Sequence, residues 1–283
     1  MRLRSLLYVP ASSAKFIAKA HERGADAIIL DLEDSVAPDQ KQAARDGLKD
    51  AVAQVARGGA TVFVRINSAP DRRMADAEAA CRAGAFGLYV AKTRSPQELE
   101  DIAAHLAPVE RQIGRPPVAF VPLLEDAGLV LDARAIARVS RVVGLAAGGE
   151  DIATSMGAEP LPDVLRLPKL MVHLAAKAEG KLSFGMLLTV ADYRRLDALK
   201  AAAREAKAHG FDGASCVHPS VVPVLNASYS PSPERIAWAK SVIDAAKTAQ
   251  ADGRGAFVLN GTMVDAPIIE RAHDVLEQAG DLG

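Results

Sequence analysis

Cysteine, long apolar runs and unbalanced charge are all scarce in this sequence, and each shortage excludes a class of protein. The 283 residues include two cysteines, Cys81 and Cys216, which stand far apart and have no neighbouring His or Cys ligands. We therefore expect free thiols in a reducing cytoplasm rather than disulfides or a zinc site. No run approaches the roughly 18 apolar residues that span a bilayer. The apolar run within residues 1–10 is too short to predict a signal peptide.

The charges nearly cancel, since 34 Lys and Arg face 35 Asp and Glu for a net charge of −1. This balance leaves no excess positive charge for a phosphate backbone, so we do not expect a nucleic acid as a partner. Without an apolar run long enough to span a bilayer, we expect no membrane partner either. The sequence also lacks a nucleophile-elbow motif, a Walker loop and a glycine-rich dinucleotide fingerprint after its first apolar run. Elbow hydrolases, P-loop enzymes and Rossmann dinucleotide binders therefore lose their main signatures.

A regular alternation of short apolar runs and longer helical patterns organises the chain. Eight runs predict strands, at residues 5–10, 27–33, 61–67, 87–92, 118–125, 142–148, 183–188 and 213–218. Helix-like sequence follows each run, which is typical of parallel βαβ units in the α/β class. Eight such units favour a closed (β/α)8 TIM barrel with a C-terminal helical extension. We predict a catalytic barrel over residues 1–228 and a lid or oligomerisation segment over residues 229–283.

Acidic residues gather at the carboxyl ends of these predicted strands, where the loops of a TIM barrel build the active site. Glu125 and Asp151 end neighbouring strand units, which predicts that they lie about 5 Å apart. Two carboxylates that close repel each other unless a cation lies between them. Mg²⁺ suits such a pair, because water and substrate oxygens complete its coordination. Gly148 and Gly149 leave room for a substrate beside Asp151. A pair held in loop salt bridges is the alternative interpretation.

Basic side chains occupy the same strand ends. Arg65 can grip a small carboxylate through two parallel hydrogen bonds, or pair with Asp31 or Glu33, and the two roles are compatible. Lys92 can hold a phosphate or a carboxylate, form a Schiff base as in metal-independent aldolases, or make a structural ion pair. His218 is a candidate general base, although a histidine that caps the strand end is the simpler interpretation.

Motifs in a fixed order extend over most of the chain, at residues 4–10, 24–38, 64–67, 148–151, 210–213, 216–219 and 261–267. Together they resemble the citrate lyase beta-chain family of HpcH/HpaI aldolases, which includes citramalyl-CoA and malyl-CoA lyases. The resemblance implies a Mg²⁺-dependent TIM-barrel lyase that is oligomeric, usually trimeric. It implies Glu125 and Asp151 as metal ligands and Arg65 as the residue that holds the 2-oxo acid carboxylate. It implies Asp265 as the acid/base, reaching into the site of a neighbouring subunit.

The resulting hypothesis is an acyl-CoA lyase that releases acetyl-CoA and a 2-oxo acid. The metal would act as a Lewis acid on the hydroxyl oxygen as it becomes a ketone, and Asp265 would protonate the thioester enolate. We expect the substrate to be bound by a group of residues around the strand ends, namely Asp31, Glu33, Arg65, Lys92, Glu125, Gly148 and Gly149.

The sequence departs from the family pattern at several positions around the expected pocket. Ala11 stands where glycine is usual, Ala91 where proline usually precedes the lysine, and Lys169 near a common arginine. Residues 184–189 replace an acidic residue and a Tyr-Thr-Asp run with mostly apolar side chains. An apolar pocket accepts a methyl group better than a second carboxylate. We therefore favour citramalyl-CoA over malyl or citryl thioesters.

Two other functions stay open. One is a malyl-CoA thioesterase or malate synthase-like hydrolase, and the other is a non-catalytic beta subunit of a multi-enzyme complex. The thioester carrier is coenzyme A or an acyl carrier protein. Lys15, Lys19 and Arg23 on the first predicted helix can bind the phosphates of coenzyme A, or simply form a solvated helix face.

Overall fold

The chain forms two compact units. A computed structural model describes residues 2–188, 193–251 and 253–280. The larger unit runs from Leu3 to Tyr229, and the smaller one consists of Arg2 and the residues from Ser230 onward.

Eight parallel strands form the barrel of the larger unit, in the order β7-β6-β5-β4-β3-β2-β1-β8. They are β1 Ser5–Pro10, β2 Ala27–Asp31, β3 Thr61–Ile66, β4 Gly87–Val90, β5 Ala119–Leu124, β6 Gly144–Ala147, β7 Leu182–Phe184 and β8 Ala214–Cys216. A parallel bridge between Phe184 and Gly213 joins the two ends of this order, so that the ring is nearly closed. The (β/α)8 TIM barrel predicted from the sequence is confirmed.

Helices surround this ring. They are α1 Ala14–Ala20, α2 Lys41–Asp46, α3 Leu48–Val55, α4 Pro70–Arg82, α5 Pro96–Ile113, α6 Ala127–Leu131, α7 Ala133–Ala137, α8 Gly149–Ser155, α9 Pro162–Ala178, α10 Leu196–His209 and α11 Val222–Ser228. Alternate residues of a strand point to opposite faces of the sheet. On β2, Ile28 and Leu30 therefore pack outward in the main hydrophobic cluster, while Ile29 points inward with Phe63 and Tyr89.

The strands end earlier than the apolar runs predict. β2 ends at Asp31, β4 at Val90 and β5 at Leu124, so Glu33, Lys92 and Glu125 follow their strands. The backbone explains this at Lys92, whose positive φ of 47° turns the chain out of the sheet. β7 also stops at Phe184, although the apolar run continues beyond it. Glu33, Lys92 and Glu125 therefore lie on the loops above the barrel, whereas Asp31 and Arg65 still belong to the last rungs of β2 and β3.

The smaller unit is not purely helical. It contains α12 Pro233–Ala251, an antiparallel hairpin of β9 Phe257–Leu259 and β10 Thr262–Val264, and α13 Ala266–Ala279. Asn260 and Gly261 form the hairpin turn with positive φ values of 50° and 78°, as a two-residue turn of this kind requires. Apolar side chains from both helices and from β10 form a small core of its own. The two helices agree with the helical extension expected from the sequence, and the hairpin lies between them.

No helix among residues 2–188, 193–251 and 253–280 is both long enough and apolar enough to cross a membrane.

Candidate active site at the mouth of the barrel

Arg65 and Asp31 meet at the carboxyl end of the barrel. They are register partners on β3 and β2, and Nε and Nη2 of Arg65 donate to the two oxygens of Asp31 at 2.7 Å each. Asp31 also accepts the backbone N–H of Glu33 at 2.9 Å and the hydroxyl of Ser35. Burial alone would raise the pKa of Asp31, but the hydrogen bonds and charge of Arg65 hold it below its ordinary value. The ion pair weighed in the sequence analysis is therefore formed.

The ion pair with Asp31 orients the guanidinium of Arg65. A guanidinium has five N–H donors, and Asp31 engages two of them. Nη1 lies 3.0 Å from Glu33 Oε2 and 3.1 Å from Asp34 Oδ2. The group also lies over the ring of Tyr8, with Cζ 5.0 Å from its centroid, and Arg65 lines the central cavity. A buried aspartate and an aromatic ring thus hold the guanidinium in one orientation at the cavity.

Lys92 lies on the other side of Glu33. Its ammonium is 3.1 Å from Glu33 Oε1 and 3.7 Å from Asp34 Oδ1. Burial raises the pKa of Glu33 above its ordinary value, and the charge of Arg65 opposes this shift. Lys92 therefore takes part in the ion pairing that the sequence analysis gave as one of its alternatives.

The sequence did not reveal the lysine that holds the loop after β2 in place. Lys41, at the start of α2, donates to the carbonyls of Leu32 and Glu33 at 2.9 and 2.7 Å, and to Oδ1 of Asn67 at 2.6 Å. These acceptors come from two different strand ends. No spacing in the sequence marks such a contact, because it depends on the tertiary approach of α2 to both loops.

Glu125 is the buried carboxylate of the site. It follows β5 and is only 8% exposed. Its Oε2 accepts the backbone N–H of Lys92 at 2.5 Å. Burial raises the pKa of Glu125 to about 7; the N–H of Lys92 opposes the shift and the charge of Asp151 adds to it. A Cβ atom at Gly148 would lie 2.6 Å from Glu125 Cγ, so this glycine provides the space that the carboxylate side chain occupies.

Asp151 reaches the cavity from a helix and not from a strand. β6 ends at Ala147, Gly148 is the N-cap of α8 with φ −82° and ψ 96°, and Asp151 lies in the first turn of that helix. This corrects the expectation that the two carboxylates stand on adjacent strands. Both nevertheless line one cavity, and the charge of Asp151 is felt at Glu125.

The carboxylate pair fits a hard divalent cation. Among the residues that the structure describes, no group of three or more His, Cys, Asp or Glu side chains could hold a metal by itself. Mg²⁺ does not need one, since it is commonly held by one or two carboxylates together with water and substrate oxygens. Burial and the neighbouring negative charge both disfavour ionised Glu125, and a cation beside it would relieve both. The donor set therefore suits Mg²⁺.

The cavity between these groups has a volume of about 470 Å³. Asp31 and Arg65 line it on the side of β2 and β3, and Gly148, Gly149 and Asp151 line it after β6. Tyr8, Lys169, Phe184, Met186 and Leu188 complete a largely apolar surround, which the sequence analysis had placed only in part. Thr189, the last residue of the apolar stretch discussed there, lies outside the described residues.

The remaining predicted residues form three sets, each in another part of the structure. His218 is exposed, and its Nδ1 accepts the backbone N–H of Ser220 at 3.2 Å, which is the capping arrangement. Lys15, Lys19 and Arg23 are exposed on and after α1. Asp265 is half-buried in the smaller unit, where it is the N-cap residue of α13.

A nearly closed parallel barrel with a cavity lined by acidic side chains and an arginine at its carboxyl end defines an enzyme of the TIM-barrel class. The profile of the HpcH/HpaI aldolase/citrate lyase family matches residues 4–219, and the chain belongs to this family. Its relatives include CoA-ester lyases.

Three curated relatives match over nearly the whole chain. A citrate lyase subunit beta-like protein of Mycobacterium tuberculosis is 34% identical, over 97% of this chain and 95% of its own. A (3S)-malyl-CoA thioesterase of Cereibacter sphaeroides is 33% identical, over 98% and 94%. A mitochondrial citramalyl-CoA lyase of Rattus norvegicus is 30% identical, over 98% and 86%.

A solved structure resembles the whole fold. It is the protein CitE of Mycobacterium tuberculosis in complex with magnesium, acetoacetate and coenzyme A. The two match with a TM-score of 0.79 and 33% sequence identity, over 98% of this chain and 97% of that one.

Proposed function

We propose that this protein is a Mg²⁺-dependent carbon–carbon lyase that cleaves a 3-hydroxyacyl-CoA to acetyl-CoA and a 2-oxo acid. One observation carries the proposal: the Glu125–Asp151 pair and the oriented guanidinium of Arg65 line the same cavity. The CitE structure with magnesium and coenzyme A supports the cofactor and the thioester carrier. Lys15, Lys19 and Arg23 are exposed and are our candidates for binding the phosphates of coenzyme A.

In this proposal, the role of each side chain follows from its position in the cavity. Glu125 and Asp151 would hold Mg²⁺, which supplies Lewis-acid stabilisation of negative charge on the substrate hydroxyl oxygen. Arg65, held by Asp31, binds the substrate carboxylate through its remaining N–H donors. The bond between the hydroxyl-bearing carbon and the thioester α-carbon then breaks, and its electrons pass to the thioester enolate.

The enolate must then gain a proton at the carbon that becomes the methyl group of acetyl-CoA. We assign this step to Asp265, whose carboxyl stands before the first turn of α13. The hydroxyl loses one proton and the methyl carbon gains one, so that the reaction consumes none. In this proposal Asp265 acts on the site of a neighbouring subunit, in a homotrimer or a multiple of one. The segment over residues 229–283 then serves as lid and oligomerisation arm.

The acyl group we favour is citramalyl, which gives pyruvate. Phe184, Met186 and Leu188 present apolar side chains to the cavity. Contact with such a wall removes a methyl substituent from water, which favours binding. A second carboxylate would lose its hydration there without gaining a hydrogen-bond partner. The citramalyl-CoA lyase among the relatives agrees with this choice.

Turnover assays with product identification test the proposal. Citramalyl-, malyl- and citryl-CoA are incubated with the full chain, with Mg²⁺ and with a chelator, and the products are identified by mass spectrometry. We expect chelator-sensitive formation of acetyl-CoA and a 2-oxo acid, fastest from citramalyl-CoA. An Asp265→Asn variant should lose turnover and keep Mg²⁺ binding. Absence of C–C cleavage with all three thioesters would refute the lyase.

A second candidate is hydrolysis of malyl-CoA, favoured by the thioesterase relatives at 33% identity. Like the lyase reaction, this hydrolysis would begin with a 3-hydroxyacyl-CoA bound in the cavity. Water would then attack the thioester carbonyl. Its products are free malate and coenzyme A, so the same experiment distinguishes the two.

A further inference from the structure

The cavity wall contains a buried amine to which the proposed reaction gives no role. Lys169 lies on α9, is 5% exposed and lines the cavity. Its Nζ donates to the carbonyl of Met186 at 2.9 Å and to the carbonyl of Leu188 at 2.7 Å. Both acceptors belong to the segment that leaves the barrel after β7, residues 185–188.

Burying an ammonium group is unfavourable unless its donors are satisfied. Burial lowers the pKa of Lys169 to about 8, while the nearby charge of Glu150 opposes the shift. A leucine would fill an apolar helix face at no such cost. The two carbonyl hydrogen bonds are thus the contacts that offset the burial of this amine, and they act on the segment 185–188.

The same segment is fixed at its beginning by other groups. The N–H of Gly185 donates to the carbonyl of Gly213 at 2.9 Å, and the hydroxyl of Tyr229 donates to the carbonyl of Gly185 at 2.6 Å. Lys169 holds the part that follows, where Met186 and Leu188 line the cavity. Its position therefore determines where the apolar wall stands.

The fit around the amine is close on its other side as well. A Cβ atom at Gly149 would lie 3.2 Å from both Cε and Nζ of Lys169. Gly149 adjoins Gly148, which packs against Glu125. The amine thus lies between the wall after β7 and the start of α8, whose first turn carries Asp151. Arg65 belongs to β3, four strands away around the ring from β7, so the wall faces the carboxylate-binding side across the cavity.

We propose that Lys169 is a positioning residue that sets acyl-group specificity, by holding the backbone of residues 186–188 so that their apolar side chains contact the substituent on the hydroxyl-bearing carbon. The substrate class this selects carries a methyl group there, in preference to hydrogen or a carboxymethyl group. The inference rests on the proposed function for the identity of the ligand. Its test uses binding of 2-oxo acids, which requires no turnover.

The dissociation constants of pyruvate, glyoxylate and oxaloacetate are measured by calorimetry in the presence of Mg²⁺, for the full chain and three variants. Lys169→Met keeps the length and removes the donors, and Lys169→Arg keeps a cation that can serve two carbonyls. Lys177→Met is the matched control, because Lys177 lies on the same helix, pairs with Asp212 at 2.7 Å and is partly exposed on the outer side. Met186→Ala alters the wall itself and leaves the amine in place.

We expect the wild-type chain and Lys177→Met to bind pyruvate most tightly. Lys169→Met should reduce the preference for pyruvate over glyoxylate at least tenfold, and Lys169→Arg should restore most of it. Met186→Ala should reduce the same preference and thereby test the wall even if Lys169→Met does not fold. In turnover assays, the loss in Lys169→Met should fall on KM for citramalyl-CoA more than on kcat.

An unchanged ratio of dissociation constants in folded Lys169→Met, or in Met186→Ala, would overturn the inference and leave the lyase proposal intact. Selective binding of pyruvate without any carbon–carbon cleavage would refute the lyase and retain the role of Lys169. Equal binding of the three 2-oxo acids by the wild-type chain would also overturn the inference.

Discussion

Substituting Gly148 by Ala tests the proposed metal site, because the added methyl group takes space that the side chain of Glu125 occupies. The added Cβ would lie 2.6 Å from Glu125 Cγ and 3.0 Å from Oε1. Carbon atoms in contact prefer a separation of about 3.5–4.0 Å, so one partner must move by about 1 Å. The backbone at Gly148, with φ −82° and ψ 96°, suits alanine. The whole cost therefore comes from the clash with Glu125.

Glu125 has little freedom to move away. Its Oε2 accepts the N–H of Lys92 at 2.5 Å, and the side chain is buried. Overpacking of this kind typically costs about 1–3 kcal/mol. Displacing a ligand by disturbing its support commonly costs about 10–100-fold in metal affinity. We expect Gly148→Ala to fold, with a lower unfolding midpoint and Mg²⁺ affinity weakened within that range.

The assay is titration calorimetry with Mg²⁺, combined with urea unfolding. Gly47→Ala is the control, because Gly47 is exposed, has an ordinary φ of −80° and its added Cβ would meet nothing closer than 3.5 Å. That variant should bind Mg²⁺ as the wild type does. Equal Mg²⁺ affinity in Gly148→Ala and Gly47→Ala would refute the placement of the metal at Glu125.

Three further predictions follow from the same contacts. Asp151→Asn should abolish Mg²⁺ binding and turnover while the circular dichroism spectrum stays unchanged; full activity would disprove its role as a ligand. Arg65→Lys cannot donate to both oxygens of Asp31 in parallel, so KM for citramalyl-CoA should rise at least tenfold, and an unchanged KM would disprove carboxylate binding there. In the metal-free protein, the pKa of Glu125 is raised from 4.5 to about 7, so the native state retains a proton that the unfolded chain releases. Stability in urea should therefore fall by about 3 kcal/mol as the pH rises through that range, and Glu125→Gln should remove most of this slope.

The parts of the fold that the sequence predicted are those that local patterns encode. The short apolar run of β2 is typical of a strand covered on both faces, and its place among seven similar runs, each followed by helix-like sequence, predicted the barrel. Arg65 and Asp31 were recognisable as partners, because residues at the ends of neighbouring parallel strands meet at one edge. Asp151 was misplaced because the apolar pattern does not reveal that Gly148 caps a helix, so that Asp151 belongs to the first turn of α8.

The contacts of the two lysines that order the site had no local signal, although Lys169 stood out in the sequence as a lysine near a common arginine of the family. Lys41 satisfies the carbonyls of Leu32 and Glu33, and Lys169 satisfies those of Met186 and Leu188. The sequence does not show which side chain will donate a hydrogen bond to a given backbone carbonyl. In both cases a helix lysine fixes the loop that follows a strand, after β2 for Lys41 and after β7 for Lys169. The carboxylates and Arg65 identify the chemistry from sequence, whereas the shape of the cavity depends on contacts that only the folded chain creates.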